Sequence, residues 1–232
     1  MSKYFDWNRF VKVIPQILPY FQITLKMVVV VVVIATLLAI FLAVLRINKI
    51  PVIHQILGFY ISYMRDTPLL CQLFVIYYGL PVLIRMWFGI NINRWNAIYF
   101  AEIALILNEA AFMGETFRGA IESVPKVQRE AGFSIGLSRG RVFTRIVLPQ
   151  AIRVIIPSYG NSVAGMFQAT SLCYQIGVLD LMGRASSLGS ATSHLFEPYF
   201  VVAIIYIIVS LIIKLIFDLI EKKMNYGIAY AK

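Results

Sequence analysis

Residues Tyr20–Leu45 read YFQITLKMVVVVVVIATLLAIFLAVL. In water the β-branched core of this run, Val28 to Ile34, would favour a strand. The run is, however, long enough to cross a bilayer as a helix, which takes about 20 apolar residues. A lone strand in lipid leaves its backbone N–H and C=O groups unpaired, whereas a helix pairs them within itself. The stretch therefore predicts a membrane-spanning helix and, with it, an all-α integral membrane protein.

The composition agrees. The chain has 232 residues, 60% of them hydrophobic, and a formal net charge of +10. A soluble domain carries roughly 45–50% apolar residues, so too little polar surface is available here to face water. A single membrane domain over residues 1–232 is expected, with its core at about 18–221. Cys71 and Cys173 lie in or beside apolar stretches and read as small apolar filler rather than a disulfide framework. The N-terminal stretch is mixed and aromatic, and the apolar run after it is too long for a cleaved leader, so the first span is read as retained.

About five spans follow from the hydropathy pattern. After the first come an amphipathic, aromatic stretch at 52–64 expected to lie along the interface, a second span from Arg65-Asp66-Thr67-Pro68 to about Trp87, and a third from Ala97 to Phe117. The fourth is expected within Val154–Leu181 and the fifth over Tyr199–Ile220, with GRASSLGSATSHLFEP between them read as a loop. Lys and Arg concentrate in RINKIP after the first span, in the long segment after the third, and in the tail. The positive-inside rule places these in the cytoplasm and the N-terminus outside. Topology thus accounts for the basic charge, and no nucleic-acid partner is implied.

One segment between the spans is polar and patterned: REAGFSIGLSRGRVFTRIVLPQA, Arg129–Ala151. Ser123-Val124-Pro125 is a helix-start signal. A helix from about Pro125 to Gly132, a break at Gly136, and a second helix capped by Ser138 and ended by Pro149 are predicted. Helices this short are marginal alone, and the small residues Ala131 and Gly132 suit the close approach of another protein.

Glu130-Ala131-Gly132, Gly136 and Ile146-Val147-Leu148-Pro149 resemble the EAA loop of bacterial ATP-binding-cassette importer permeases, with Gly132 in place of the second alanine. Arg65-Asp66-Thr67-Pro68-Leu69-Leu70-Cys71-Gln72-Leu73-Phe74 and the run Glu115 to Pro125 are similar to motifs of the polar amino acid subfamily, as are Gly160-Asn161, Thr170-Ser171-Leu172 and Ile176-Gly177-Val178. The resemblance runs from about Leu18 to the C-terminus. It implies a type I ABC importer (MetI-like) transmembrane domain in the bacterial cytoplasmic (inner or plasma) membrane. The cytoplasmic loop, 123–151, is implied to dock on an ATPase dimer through Glu130, Ala131, Gly132, Gly136, Leu137 and Arg141. A second permease subunit, an external solute-binding protein and an amino acid substrate are the other implied partners beside the lipid bilayer. The chain contains no G-x-x-x-x-G-K-[ST] phosphate loop, so ATP and Mg²⁺ are expected on the partner ATPase and no cofactor in this chain.

Charged and amide groups inside a span are expensive. Glu102, Asn108, Glu109 and Glu115 fall in or near the third span. Glu102 and Glu109 share a helix face, and Glu115 with Arg118 reads as a structural i,i+3 ion pair. Asn108 and Glu109 read either as substrate contacts or as a satisfied interhelical bond. An amino acid needs an acceptor for its ammonium and donors for its carboxylate. Glu109 suits the first, and Gln72, Ser162, Gln168, Thr170 and Ser171 suit the second. The subfamily often has K-D-T-S-L where this chain has Gln168-Ala169-Thr170-Ser171-Leu172, and some relatives for basic amino acids carry an acid where Ser162 stands. The missing acid argues against a lysine or arginine substrate without excluding it, and the neutral pair points to a different or larger polar substrate, so cystine or a similar polar or basic amino acid is the expectation.

His54 and His194 are isolated and are read as solvated rather than as metal ligands. A secondary transporter would show inverted repeats, and none is evident. A membrane hydrolase would need a histidine beside Glu102 or Glu109, whereas both histidines are predicted near opposite surfaces.

Overall fold

The computed structural model describes residues 5–225. Lys3 and Lys232, which enter the predicted charge asymmetry, lie outside the described residues. The described chain is helical: α1 (Trp7–Ile17), α2 (Phe21–Ile47), α3 (Pro51–Asp66), α4 (Leu69–Phe88), α5 (Ala97–Glu122), α6 (Lys126–Ser134), α7 (Arg139–Val142), α8 (Leu148–Ala169), α9 (Leu181–Thr192) and α10 (Phe196–Asn225).

The valine-rich run is helical throughout, as lipid requires. Val28, Val31, Ala35, Ala39, Leu42 and Ala43 face inward, while Val29, Val33, Leu37, Phe41 and Val44 are exposed. Lipid, not water, suits that second face. The inward face carries alanines at four-residue spacing, and they meet a matching run on α5. Gly114 of α5 lies so close that an added Cβ would be 3.4 Å from the Ala39 carbonyl oxygen. Small residues let two membrane helices approach until dispersion contacts are dense. α2 and α5 make the most extensive helix pair, followed by α8 with α10 and α5 with α8.

α1 with α2, α4, α5 and α10 are each long and apolar enough to span a bilayer. α8 is the helix at the predicted fourth span. Its 22 residues reach ~33 Å, about the hydrocarbon thickness, though its composition is more polar than in those four. It starts earlier than predicted and stops at Ala169, where a 3₁₀ turn, Thr170–Ile176, takes over.

Three local expectations need correction. Pro149 does not end the helix. The chain runs from Arg139 to Ala169 through a π-type turn at Phe143–Val147, and Pro149 sits in the first turn of α8. A proline clashes with the carbonyl four residues back and donates no N–H, and here that carbonyl, Arg145, lies within the widened turn. α4 repeats the device, with a π turn at Val75–Gly79 ahead of Pro81. Second, Ser138 precedes α7 but its side chain makes no capping bond. Third, most of the predicted loop 183–198 is α9, capped by the Asp180 carboxylate accepting from the Gly183 N–H at 2.9 Å.

Three basic clusters gather at one end of the molecule. Arg46 at the end of α2 reaches Glu115 near the end of α5 at 3.3 Å. Met224 near the end of α10 lines a cleft with Leu148, Pro149 and Arg153. The opposite end holds α1, α9 and the start of α10, joined by the Asp6 N–H donating to Glu197 at 3.0 Å.

Candidate functional site

The polar segment is a built unit rather than a solvated loop. α6 ends on Gly136, whose φ of +80° is left-handed. That conformation suits glycine and lets the Leu137 N–H reach back to the Gly132 carbonyl at 3.1 Å. Val124, Val142 and Val147 form a small core with Ile121, Leu137 and Ile146. Two polar clamps hold it to the spans: Arg129 Nη2 donates to the Ile121 carbonyl at 2.5 Å, and Gln150 Nε2 to Gln128 Oε1 at 2.6 Å. The unit is thereby tied to both α5 and α8.

The six predicted coupling residues divide accordingly. Glu130, Ala131 and Arg141 are exposed. Gly136 forms the turn. Gly132 is buried, and a Cβ there would meet Ile146 Cδ1 at 2.7 Å and Val142 Cγ2 at 3.0 Å. Leu137 packs into the core of the unit. Gly132 and Leu137 therefore shape the loop from inside, and the predicted use of Gly132 for close approach of a partner gives way to packing within the unit. Val127 and Ile135 are 72% and 77% exposed and add an apolar element to the outward face. We expect Gly132→Ala to be tolerated, because the blocking atoms are side-chain methyls that can turn aside and alanine favours the helix by up to about 1 kcal/mol. Thermal unfolding of the detergent-solubilised protein should shift by no more than a few degrees.

Beside this unit an ion cluster joins three helices. Arg118 contacts Glu115 at 2.6 Å and Glu122 at 2.5 Å, and Arg46 contacts Glu115. Arg46 Nη1 also lies 3.2 Å from His54 Nε2 and donates to the His54 carbonyl at 3.1 Å. His54 is thus half-buried in the cluster, not the solvated side chain expected. His194 is exposed, as expected.

The predicted pathway residues do not form one constellation. Gln72 and Asn108 pair with each other, Asn108 Nδ2 donating to Gln72 Oε1 at 2.9 Å. Gln72 Nε2 donates to the carbonyls of Met64 and Thr67 and to Thr67 Oγ1, and Asn108 Nδ2 also reaches Met64 O. The reason is local. Pro68 forces Thr67 into an extended conformation, which frees the last carbonyls of α3. Unpaired carbonyls at this depth are costly, and the two amides satisfy them. Of the two readings open for Asn108, the geometry is that of the interhelical bond.

Gln168 donates to Ser210 Oγ at 3.1 Å, and the Thr170 hydroxyl donates to the Phe167 carbonyl and bonds to the Tyr206 hydroxyl. Ser171 is half-buried in the 3₁₀ turn. Glu109 differs from all of these. It is buried, with Ser162 of α8 beside it, and its Oε1 has no hydrogen-bond partner among the described residues. Glu102, on the same face, is half-buried. Sequence reading missed Thr24, which is buried and accepts from the Leu181 N–H at 3.2 Å. It missed Asp180 as well, although an aspartate ahead of Leu181-Met182-Gly183 was a readable helix start.

Residues 35–226 match the family model described as binding-protein-dependent transport system inner membrane component. The L-cystine transport system permease protein TcyL of Bacillus subtilis is 37% identical over 97% of this chain and 94% of its own length. The arginine transport system permease protein ArtQ of the same organism is 34% identical over 95% of this chain and 97% of its own. Among solved structures, one described as an amino acid ABC transporter with histidines superposes with a TM-score of 0.84 at 32% identity, covering 94% of this chain and 99% of that one.

Proposed function

The chain belongs to the family of binding-protein-dependent transport system inner membrane components, and from that premise we propose that it lines the translocation pathway of an ATP-driven importer for a polar amino acid. It is a membrane permease subunit of the type I importer fold. ATP and Mg²⁺ belong to a separate cytoplasmic ATPase dimer, which grips the outward face of the loop at Val127, Glu130, Ala131 and Arg141. A second permease, identical or homologous, completes the pathway, and an external solute-binding protein delivers the substrate. The loop and the end of α10 face the cytoplasm, and α1 faces outward, by the distribution of Lys and Arg. The single observation that carries coupling is the clamped loop. Bonds to Ile121 and Gln150 make a push on α6 a push on α5 and α8 together.

Closure of the ATPase dimer then favours one arrangement of the spans, and nucleotide release the other. The loaded binding protein shifts this equilibrium only by its differential affinity for the outward form. Co-purification tests the assignment: the tagged chain should bring down an ATPase chain, and a permease that moves solute without one contradicts it.

Cystine is the proposed substrate, supported by the likeness to the cystine permease and by the neutral Gln168-Ala169 pair and Ser162. Titrating the cognate binding protein against a panel of amino acids decides this. Glu109 is the proposed ammonium acceptor. An uncompensated carboxylate oxygen within a span is expensive unless something arrives to pair it. Glu109→Gln keeps the shape and removes the charge. In proteoliposomes with the complete importer, we expect KM for uptake to rise about tenfold, the loss of one charge-assisted contact, with basal ATP hydrolysis unchanged. An unaltered KM removes Glu109 from the pathway.

A further inference from the structure

At the end of the molecule opposite the loop, a cleft of about 360 Å³ is lined by Arg9, Lys12, Val13, Gln16, Thr192, His194, Glu197 and Pro198. Arg9 and Lys12 stand one turn apart on α1 and are exposed. Glu197, in the first turn of α10, is 1% exposed. One of its oxygens accepts the Asp6 N–H, and the other, Oε2, has no partner among the described residues. The cleft thus offers Lys12 and Arg9 at its rim, Arg9 already ion-paired with the Asp6 carboxylate at 3.5 Å, and the buried Glu197, one of its oxygens unsatisfied, in its wall.

Neither charge alone fits this arrangement. A purely anionic ligand pairs with Arg9 and Lys12 but leaves Glu197 unpaired beside a like charge. A simple cation satisfies Glu197 and faces the two basic side chains. A zwitterion that carries a phosphate and an N–H-bearing ammonium satisfies both. The surroundings favour a membrane source. Phe5, Trp7, Phe10, Phe196 and Phe200 form a cluster of ring contacts beside the cleft. Trp7 is 68% exposed, and the amphipathic ring of a tryptophan sits favourably at the headgroup level of a bilayer. An amphipathic helix with basic residues and a tryptophan is itself an interfacial element.

We propose that this cleft binds the headgroup of a phosphatidylethanolamine molecule, its phosphate held by Arg9 and Lys12 and its ammonium donating to Glu197 Oε2. The lipid would pin α1 to the start of α10 at the bilayer surface. A choline headgroup has no N–H to donate, and a glycerol headgroup has no positive charge, so both are discriminated against.

Native mass spectrometry of the delipidated, assembled transporter tests this, with palmitoyl-oleoyl phosphatidylethanolamine, phosphatidylcholine and phosphatidylglycerol titrated separately. The wild type should retain phosphatidylethanolamine about tenfold more tightly than phosphatidylcholine. Glu197→Gln still offers an oxygen to the Asp6 N–H and should erase that preference. Arg9→Ala combined with Lys12→Ala, both at exposed positions, should weaken phosphatidylethanolamine and phosphatidylglycerol alike. Equal retention of the ethanolamine and choline lipids by the wild type, or unchanged selectivity in Glu197→Gln, overturns the site. Full displacement by free phosphoethanolamine at the concentration of the lipid overturns the membrane source.

Discussion

Glu130→Arg is expected to leave the chain inserted and folded while uptake and substrate-stimulated ATP hydrolysis fall to background. The side chain is exposed on α6, and its carboxylate makes no hydrogen bond or ion pair among the described residues that the fold could lose. It is also the sole acid between Ser123 and Leu179, within a segment that carries Lys126, Arg129, Arg139, Arg141, Arg145 and Arg153. A partner shaped to this surface meets one negative point in a basic field. Reversal removes that point and places a like charge against whatever cation it met. Coupling between close charge pairs at interfaces runs to about 1.5–7 kcal/mol, enough to undo docking. The measurement is ATP hydrolysis by the reconstituted importer with loaded binding protein, beside a thermal unfolding curve. Wild-type stimulation in the variant would mean that the ATPase grips another surface.

The division between what was readable and what was not follows from the range of the interactions. The spans were legible because lipid demands backbone pairing within each segment, so Tyr20–Leu45 needed no tertiary knowledge. The loop was legible in outline because Gly136 and Ser123-Val124-Pro125 act locally. Pro149 misled because its usual effect as a terminator was cancelled by a widened turn that leaves no mark in the residue pattern. α9 was missed because its glycines and serines resemble a loop, and they become helical only where Asp180 caps them and Leu181 and Ala185 are buried. The pathway residues were chosen by polarity alone. Gln72 and Asn108 serve carbonyls freed by Pro68, a partnership that depends on how α3 and α4 meet α5 and so is invisible along the chain. Glu109 survived as a candidate because its carboxylate keeps an unpaired oxygen.

Gly160→Ala should be among the most destabilising single-methyl changes in the protein. Gly160 is buried where α8 crosses α10, and an added Cβ would lie 2.6 Å from both Cβ and Cγ of Phe217. The contrast with Gly132 decides the sign. There the nearest obstacle, at 2.7 Å, is the end of an isoleucine side chain, which a rotamer change moves, and the next, Val142 Cγ2 at 3.0 Å, needs to give by only a few tenths of an ångström. Here it is the root of a phenylalanine, which moves only with the backbone of α10. Phe217 is also held by edge contact with Tyr159, whose hydroxyl bonds to Thr36 of α2 at 2.8 Å. Separation of α8 from α10 thus pulls on α2 as well. Overpacking of a tight site costs about 1–3 kcal/mol, whereas a methyl on an exposed glycine of a helix is worth about 1 kcal/mol in the other direction. The net expectation is a clear drop in the unfolding midpoint and a loss of monodisperse protein on size exclusion. Phe217→Ala in the same chain should restore only part of it, since it removes Cγ and the ring but leaves the Phe217 Cβ at 2.6 Å from the added methyl, and the coupling between the two changes should reach about 1 kcal/mol as close pairs do. Additive losses in the double variant would show that α8 and α10 do not meet at this seam, and with it would go the close helix contact through which a push on the loop reaches the last span.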